Sequence, residues 1–177
     1  DAWKLMLVGS SNDAAALLSR TIAGSEEKFV EAMNKKARAL GFKHTVFTDS
    51  TGLHEGNLST AREVAALARF ALANQEIQSV LGLDKFQFAP AGKGARTVRS
   101  TNWLVGAQLG RGVKSFGGKT GHIAESGYNL VFAAGNDGRE VIGVVLGSED
   151  NATRFSEMAK LIKWGFSLAP KEQSLGD

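Results

Sequence analysis

The chain contains no cysteine. Disulfides, thiolate metal sites and cysteine nucleophiles are therefore excluded. Its three histidines, His44, His54 and His122, show no metal-ligand spacing, so no metal and no cofactor is expected. No apolar run approaches the ~18 residues of a membrane span. Ala2 to Val8 is too short and too poorly flanked for a secretory leader. Basic runs interleaved with aromatic residues are missing as well. The net charge is +3, from 21 basic and 18 acidic residues spread along the chain, so nucleic acid is not an expected partner. That mild charge is compatible with anionic ligands.

What remains is a chain of 177 residues, 43% of them hydrophobic, enough for one domain with a true core. Asp1 is not an initiator residue, and the chain reads as part of something longer.

Helical spacing is clearest from Ser25 to Leu40, where Phe29, Met33, Ala37 and Leu40 recur on one face and Gly41 stops the run. Glu26, Glu27 and Glu31 lie early and Lys35, Lys36 and Arg38 late, as the helix dipole favours. Ser10 to Gly24 reads as a loop entering a helix with Leu17, Leu18 and Ile22 on one face. Phe42 to Asn57 reads as loop. Thr60 to Glu63 forms a capping box ahead of a helix whose buried stripe is Val64, Leu67, Ala68 and Ala71. Phe86 to Val98 holds short strands around a Pro90–Gly94 loop. Strands are expected at Phe116–Thr120, Tyr128–Ala134 and Glu140–Leu146, the last two joined by a turn at Gly135–Gly138. Those two are apolar on both faces, which requires cover on both sides. A final helix, about Ala152 to Ser167, directs Phe155, Met158, Ile162 and Phe166 inward. The expected fold class is thus α/β (α+β), an antiparallel sheet covered by helices on both faces. One domain occupies residues 1–169, and residues 170–177 read as a loose tail.

Two polar constellations carry chemistry. Lys119-Thr120-Gly121 places an ammonium, a hydroxyl and a residue without Cβ on a strand beside a hairpin. The lysine suits a carboxylate, the threonine a second contact to the same anion, and the glycine a close backbone approach. The N–H of His122 then lies where an oxyanion donor is useful. A solvated lysine followed by a turn glycine reads equally well from these residues alone. Ser10-Ser11-Asn12 sits at a loop-to-helix junction, where two short polar side chains reach a cleft or simply cap the helix.

Taken together, the two match the second and third elements of the set S-x-x-K, S-x-N, K-T-G. With "GSSNDAAALL", "FVEAMNKKARALGFKHTVFTDSTGL", "LSTAREVAALAR", "TNWL", "GGKTGHIAESGYNLVFAAG" and "WGF", they make the chain resemble the serine D-alanyl-D-alanine carboxypeptidases, the low-molecular-mass penicillin-binding proteins, from about Leu5 to Phe166. The resemblance implies a beta-lactamase/transpeptidase-like fold, incomplete at its N-terminus. It implies extracytoplasmic action on peptidoglycan stem peptides ending in D-Ala-D-Ala, an acyl-enzyme mechanism and acylation by beta-lactams. Any membrane association belongs to segments outside this chain. By position, Ser10 shuttles the leaving amine's proton and Asn12 orders the S-x-x-K lysine or binds substrate. Lys119 and Thr120 take the terminal carboxylate, Gly121 precedes the oxyanion donor His122, and Arg154 is a further carboxylate contact.

Departures from the family pattern are specific. Glu63 stands where Asp is usual, and Ile123 where Thr is common. No S-x-x-K precedes Ser10. The one occurrence, Ser25-Glu26-Glu27-Lys28, is in the wrong order and reads as a helix cap. The nucleophile and its lysine are therefore expected upstream of this chain, and the chain alone is expected to be inactive. A D,D-endopeptidase of the same family and a non-catalytic peptidoglycan-binding module or fragment are the alternatives.

Overall fold

Five polar side chains start five helices by the same physics in the computed structural model, which describes residues 1–168. Ahead of them lies a short uncapped helix, α1 (Ala2–Leu7). Ser11 accepts from the Ala14 N–H and opens α2 (Asn12–Ala23). Ser25 accepts from Lys28 and opens α3 (Glu26–Ala39), and Thr60 accepts from Glu63 and opens α4 (Ala61–Leu72). Asn74 opens α5 (Gln75–Leu81). Each cap satisfies an otherwise unpaired N–H and contributes about 1 kcal/mol. The strands β1 (Lys85–Phe88) and β2 (Arg96–Arg99) form a separate hairpin. β3 (Lys114–Ile123), β4 (Gly127–Asn136) and β5 (Arg139–Ser148) form an antiparallel sheet in that order. Asp150 caps the last helix, α6 (Asn151–Ser167). The tail expected at 170–177 lies outside the described residues.

Asp137 and Gly138 turn β4 into β5 with φ of 48° and 77°. A two-residue hairpin of matching twist needs positive φ at both positions, which Gly adopts freely and Asp tolerates. Along β4, Leu130, Phe132 and Ala134 face α6 and bury Phe155, Met158 and Ile162. Phe132, Met158 and Ile162 are 0% exposed, and each contributes roughly 1.5–3 kcal/mol by leaving water. Strand alternation sends Val131, Ala133, Ile142 and Val144 to the opposite face. There α4 packs on β5, so the sheet is covered from both sides as its composition requires.

One expectation needs correction, and two features add to the sequence reading. The α4 stripe of Val64, Leu67, Ala68 and Ala71 is only half-buried, and α4 buries no residue fully. In α2 the buried residues are Ala14, Ala15 and Ser19, whereas Leu17 is 51% and Ile22 69% exposed. Leu18, on the same face, is half-buried, so the apolar face read from the sequence is present and largely open to solvent. Finally, α1 and α5 were not expected, because six and seven residues are too few to display a helical period.

Candidate active site

Ser10 owes its position to the bend between α1 and α2. Its φ is 55°, a left-handed backbone that costs a serine about 1 kcal/mol or more. The helix cap falls to Ser11, whose Oγ accepts from Ala14 at 3.2 Å. Ser10 is left free of capping, and Lys119 Nζ donates to its Oγ at 2.6 Å. Asn12 begins α2 half-buried, and its amide makes no hydrogen bond among the described residues.

Lys119 lies on β3, the outer strand on this side of the sheet. Nζ also donates to the Thr120 carbonyl at 2.8 Å. Burial, followed by the nearby Arg154 guanidinium, pushes the Lys119 pKa down to about 8. Thr120 is buried, with its hydroxyl 2.6 Å from that of Thr101. The Thr101 N–H in turn donates to the Val8 carbonyl, which ties this pair to the segment carrying Ser10. Nothing in the local sequence around Thr101 signals that role. The one hint is its place at the start of the family-like segment "TNWL".

Gly121 and His122 are exposed at the far end of β3. The His122 ring stacks on Tyr128 with centroids 3.9 Å apart. A Cβ at Gly121 would meet only Asn129 Cβ, at 3.8 Å, so no protein backbone crowds it. The close approaches are at Gly117 and Gly118 instead. A Cβ there would run into the Leu81 and Val131 carbonyls respectively.

Arg154 is 5% exposed. Its Nη1 donates to the carbonyls of Gly121 at 3.0 Å and Asn129 at 3.2 Å, and its buried Nε has no partner among the described residues. The guanidinium lies over Phe155 and Tyr128, 4.8 and 5.3 Å from their centroids. It therefore clamps β3 to β4 under the site and adds positive charge beside Lys119.

The loop opposite β3 is fixed by two acids. Glu63 does not close the capping box with its own side chain. Thr60 caps Glu63 N–H, but the Glu63 carboxylate accepts from Thr45 Oγ1 and from Lys43 and His44 N–H. Those bonds, Thr45 first, hold its pKa below the ordinary carboxylate range. The buried Asp49 accepts from the N–H groups of Gly52, Leu53 and His54 and from Asn57 Nδ2. Burial alone would raise its pKa; the hydrogen bonds outweigh burial and lower it. Ser25, as expected, spends its hydroxyl on the Lys28 N–H.

Residues 1–150 match the family model for D-alanyl-D-alanine carboxypeptidase, Peptidase_S11. A D-alanyl-D-alanine endopeptidase of Haemophilus influenzae is 38% identical over 165 residues, covering 92% of this chain and 55% of that protein. The crystal structure of a D-alanyl-D-alanine carboxypeptidase from Mycobacterium tuberculosis superposes with a TM-score of 0.85 at 28% identity, covering 96% of this chain and 64% of that one. Penicillin-binding protein D2 of Listeria monocytogenes, solved in a cefotaxime-bound form, gives 0.81 at 30% identity over 94% of this chain and 65% of that one. The chain spans about half the length of the curated relatives it matches, between 40% and 55% of the first three.

Proposed function

The chain belongs to the D-alanyl-D-alanine carboxypeptidase family, and from that premise we propose that the protein carrying it is a serine-type D-Ala-D-Ala carboxypeptidase acting on peptidoglycan stem peptides. The observation that supports this most is the contact between Lys119 Nζ and Ser10 Oγ. A hydroxyl that accepts from an ammonium keeps its own proton to donate elsewhere, and the ammonium lowers its pKa. Ser10 is then suited to pass a proton from the nucleophile to the leaving D-alanine amine. The nucleophile is a serine of an S-x-x-K segment outside this chain. It attacks the penultimate D-Ala carbonyl, the peptide bond breaks, and water later releases the acyl group.

Each remaining residue has a proposed part. The Asn12 amide orders the S-x-x-K lysine or the substrate. Lys119 attracts the terminal carboxylate, and Arg154 adds to the field from beneath. With Thr101 as the donor of the hydroxyl pair, the Thr120 proton is left for that carboxylate. Alternation along β3 puts the backbone of His122 on the same side as that of Thr120, whose carbonyl meets Lys119. The His122 N–H is the proposed oxyanion donor, with Gly121 open beside it. Beta-lactams would acylate the same serine, and the site would act outside the cytoplasm. No helix among the described residues is long and apolar enough to cross a membrane.

The Haemophilus relative favours a second reading, cleavage of D-Ala-containing cross-links as an endopeptidase. Mass spectrometry of peptidoglycan fragments treated with the complete protein separates the two. Loss of one terminal D-alanine supports the carboxypeptidase, and conversion of cross-linked dimers to monomers supports the endopeptidase. Neither product would overturn both.

A further inference from the structure

The short segment that follows β2 touches both walls of the site, with Thr101 at its centre. The Thr101 N–H donates to the Val8 carbonyl at 3.1 Å, two residues before Ser10. The Thr101 hydroxyl lies 2.6 Å from that of Thr120, next to Lys119. The segment is pinned on either side of Thr101. The Ser100 N–H donates to the Asp84 carbonyl at 2.7 Å, and Asn102 Oδ1 accepts from the Leu104 N–H at 3.1 Å. Asn102 and Leu104 are buried. Upstream, a Cβ at Gly9 would lie 2.8 Å from Val98 Cγ1, so β2 also packs closely on the Ser10 bend. Thr101 is therefore held by its backbone and its neighbours, and its hydroxyl is left to serve Thr120.

We propose that Thr101 is a positioning residue, acting through Thr120, on which discrimination of a terminal carboxylate from an uncharged end group depends. The inference rests on the D-Ala-D-Ala reading above. A hydroxyl offers one proton and two lone pairs. In a hydroxyl pair one member donates to the other, and the second proton needs a further acceptor. Thr120 is buried, and its hydroxyl has no other partner among the described residues. A carboxylate beside Lys119 only accepts, so it takes the Thr120 proton while Thr101 donates to Thr120 from behind. A terminal carboxamide both donates and accepts, so it can pair with Thr120 whichever way the hydroxyls point. The Thr101 hydroxyl therefore adds to the binding of the anion and little to that of the amide.

The test uses the complete protein with a peptide ending in D-Ala-D-Ala and the same peptide ending in a carboxamide. Thr101→Val removes the hydroxyl but keeps the side-chain shape and the N–H to Val8. On the free acid it is expected to lower kcat/KM about three- to tenfold, the scale of one hydrogen bond, mainly through KM. Thr101→Ala, which adds no bulk, should show the same loss, and Thr101→Ser should restore the activity. Affinity for the carboxamide, read from its competition with fluorescent penicillin, should change less than about twofold. In a Thr120→Val background, Thr101→Val should cost nothing further. Equal loss on both peptides, no rescue by serine, or a full additional loss in the Thr120→Val background overturns the role of Thr101, while D-alanine release by the wild type still supports the parent reading. No release from the free acid by the wild type, together with no labelling by fluorescent penicillin, overturns both.

Discussion

The Lys119 ammonium donates to the Ser10 hydroxyl at 2.6 Å across 109 residues of sequence. The bond joins the bend after α1 to the middle of β3, so it depends on the whole intervening fold. In the complete protein, Lys119→Ala should lower kcat/KM on a D-Ala-D-Ala peptide by roughly 2–4 kcal/mol, about 30- to 1000-fold. Steady-state kinetics on the purified variant check this, with circular dichroism to establish folding. An unchanged value removes Lys119 from the mechanism.

Lys119 also sets a pH dependence. Its proton is held with a pKa of about 8, chiefly because the side chain is buried and secondly because Arg154 is near. The ammonium is lost as pH rises through 8, so carboxylate binding and kcat/KM should fall above it. Lys119→Arg, charged throughout, should move that alkaline limb upward. Stability runs the other way. Folded Lys119 releases its proton near pH 8, whereas the unfolded chain keeps it to about 10.5. Between those values the unfolded state binds more protons, so stability rises with pH. Urea midpoints at about pH 7.5 and 9.5 should show a rise that Lys119→Met abolishes.

The two glycines next to Lys119 answer differently from Gly121. A Cβ at Gly118 would overlap the Val131 carbonyl and part β3 from β4, and one at Gly117 would meet the end of α5. Gly118→Ala should destabilise the chain by about 2 kcal/mol or more, read as a lowered urea midpoint. Gly121→Ala finds only Asn129 Cβ at 3.8 Å and should fold with nearly native stability. Equal loss in both variants would refute this placement of the tight contacts.

Local chemistry was legible in the sequence, and its long-range consequences were not. Ser25 announced its cap because capping is settled within three residues. The Asp137-Gly138 turn was equally local, and Phe155, Met158 and Ile162 repeat at a helical period. By contrast, the Glu63 carboxylate fitted a capping box on paper but bonds to the chain about twenty residues earlier. Thr101 finds Thr120 only through tertiary packing. For Leu17 and Ile22 the helical spacing was correct, yet spacing alone cannot say which face is covered. Family likeness pairs Ser10 with Lys119, whereas the left-handed backbone of Ser10 has no signature in its residue type.

The 177-residue chain by itself should neither release D-alanine nor be acylated by a fluorescent penicillin. Acylation needs a serine with a base in hydrogen-bond reach. Ser25 spends its hydroxyl on the Lys28 N–H, and it also helps hold the Glu27 carboxyl below its ordinary pKa. Ser10 is better placed, but its neighbour Lys119 is mostly an ammonium below pH 8 and donates to it rather than accepting from it. The chain also exposes Leu17, Ile22 and Leu146, and β5 is an outer strand of its sheet. Such surfaces favour self-association, which analytical ultracentrifugation of the purified chain should reveal. Incubation with labelled penicillin followed by intact-mass measurement decides the chemical question. The expected result is no added mass. Stoichiometric acylation mapped to Ser10 or Ser25 would place the nucleophile within this chain and overturn the assignment of an external one. Labelling that requires the S-x-x-K segment to be present would support it.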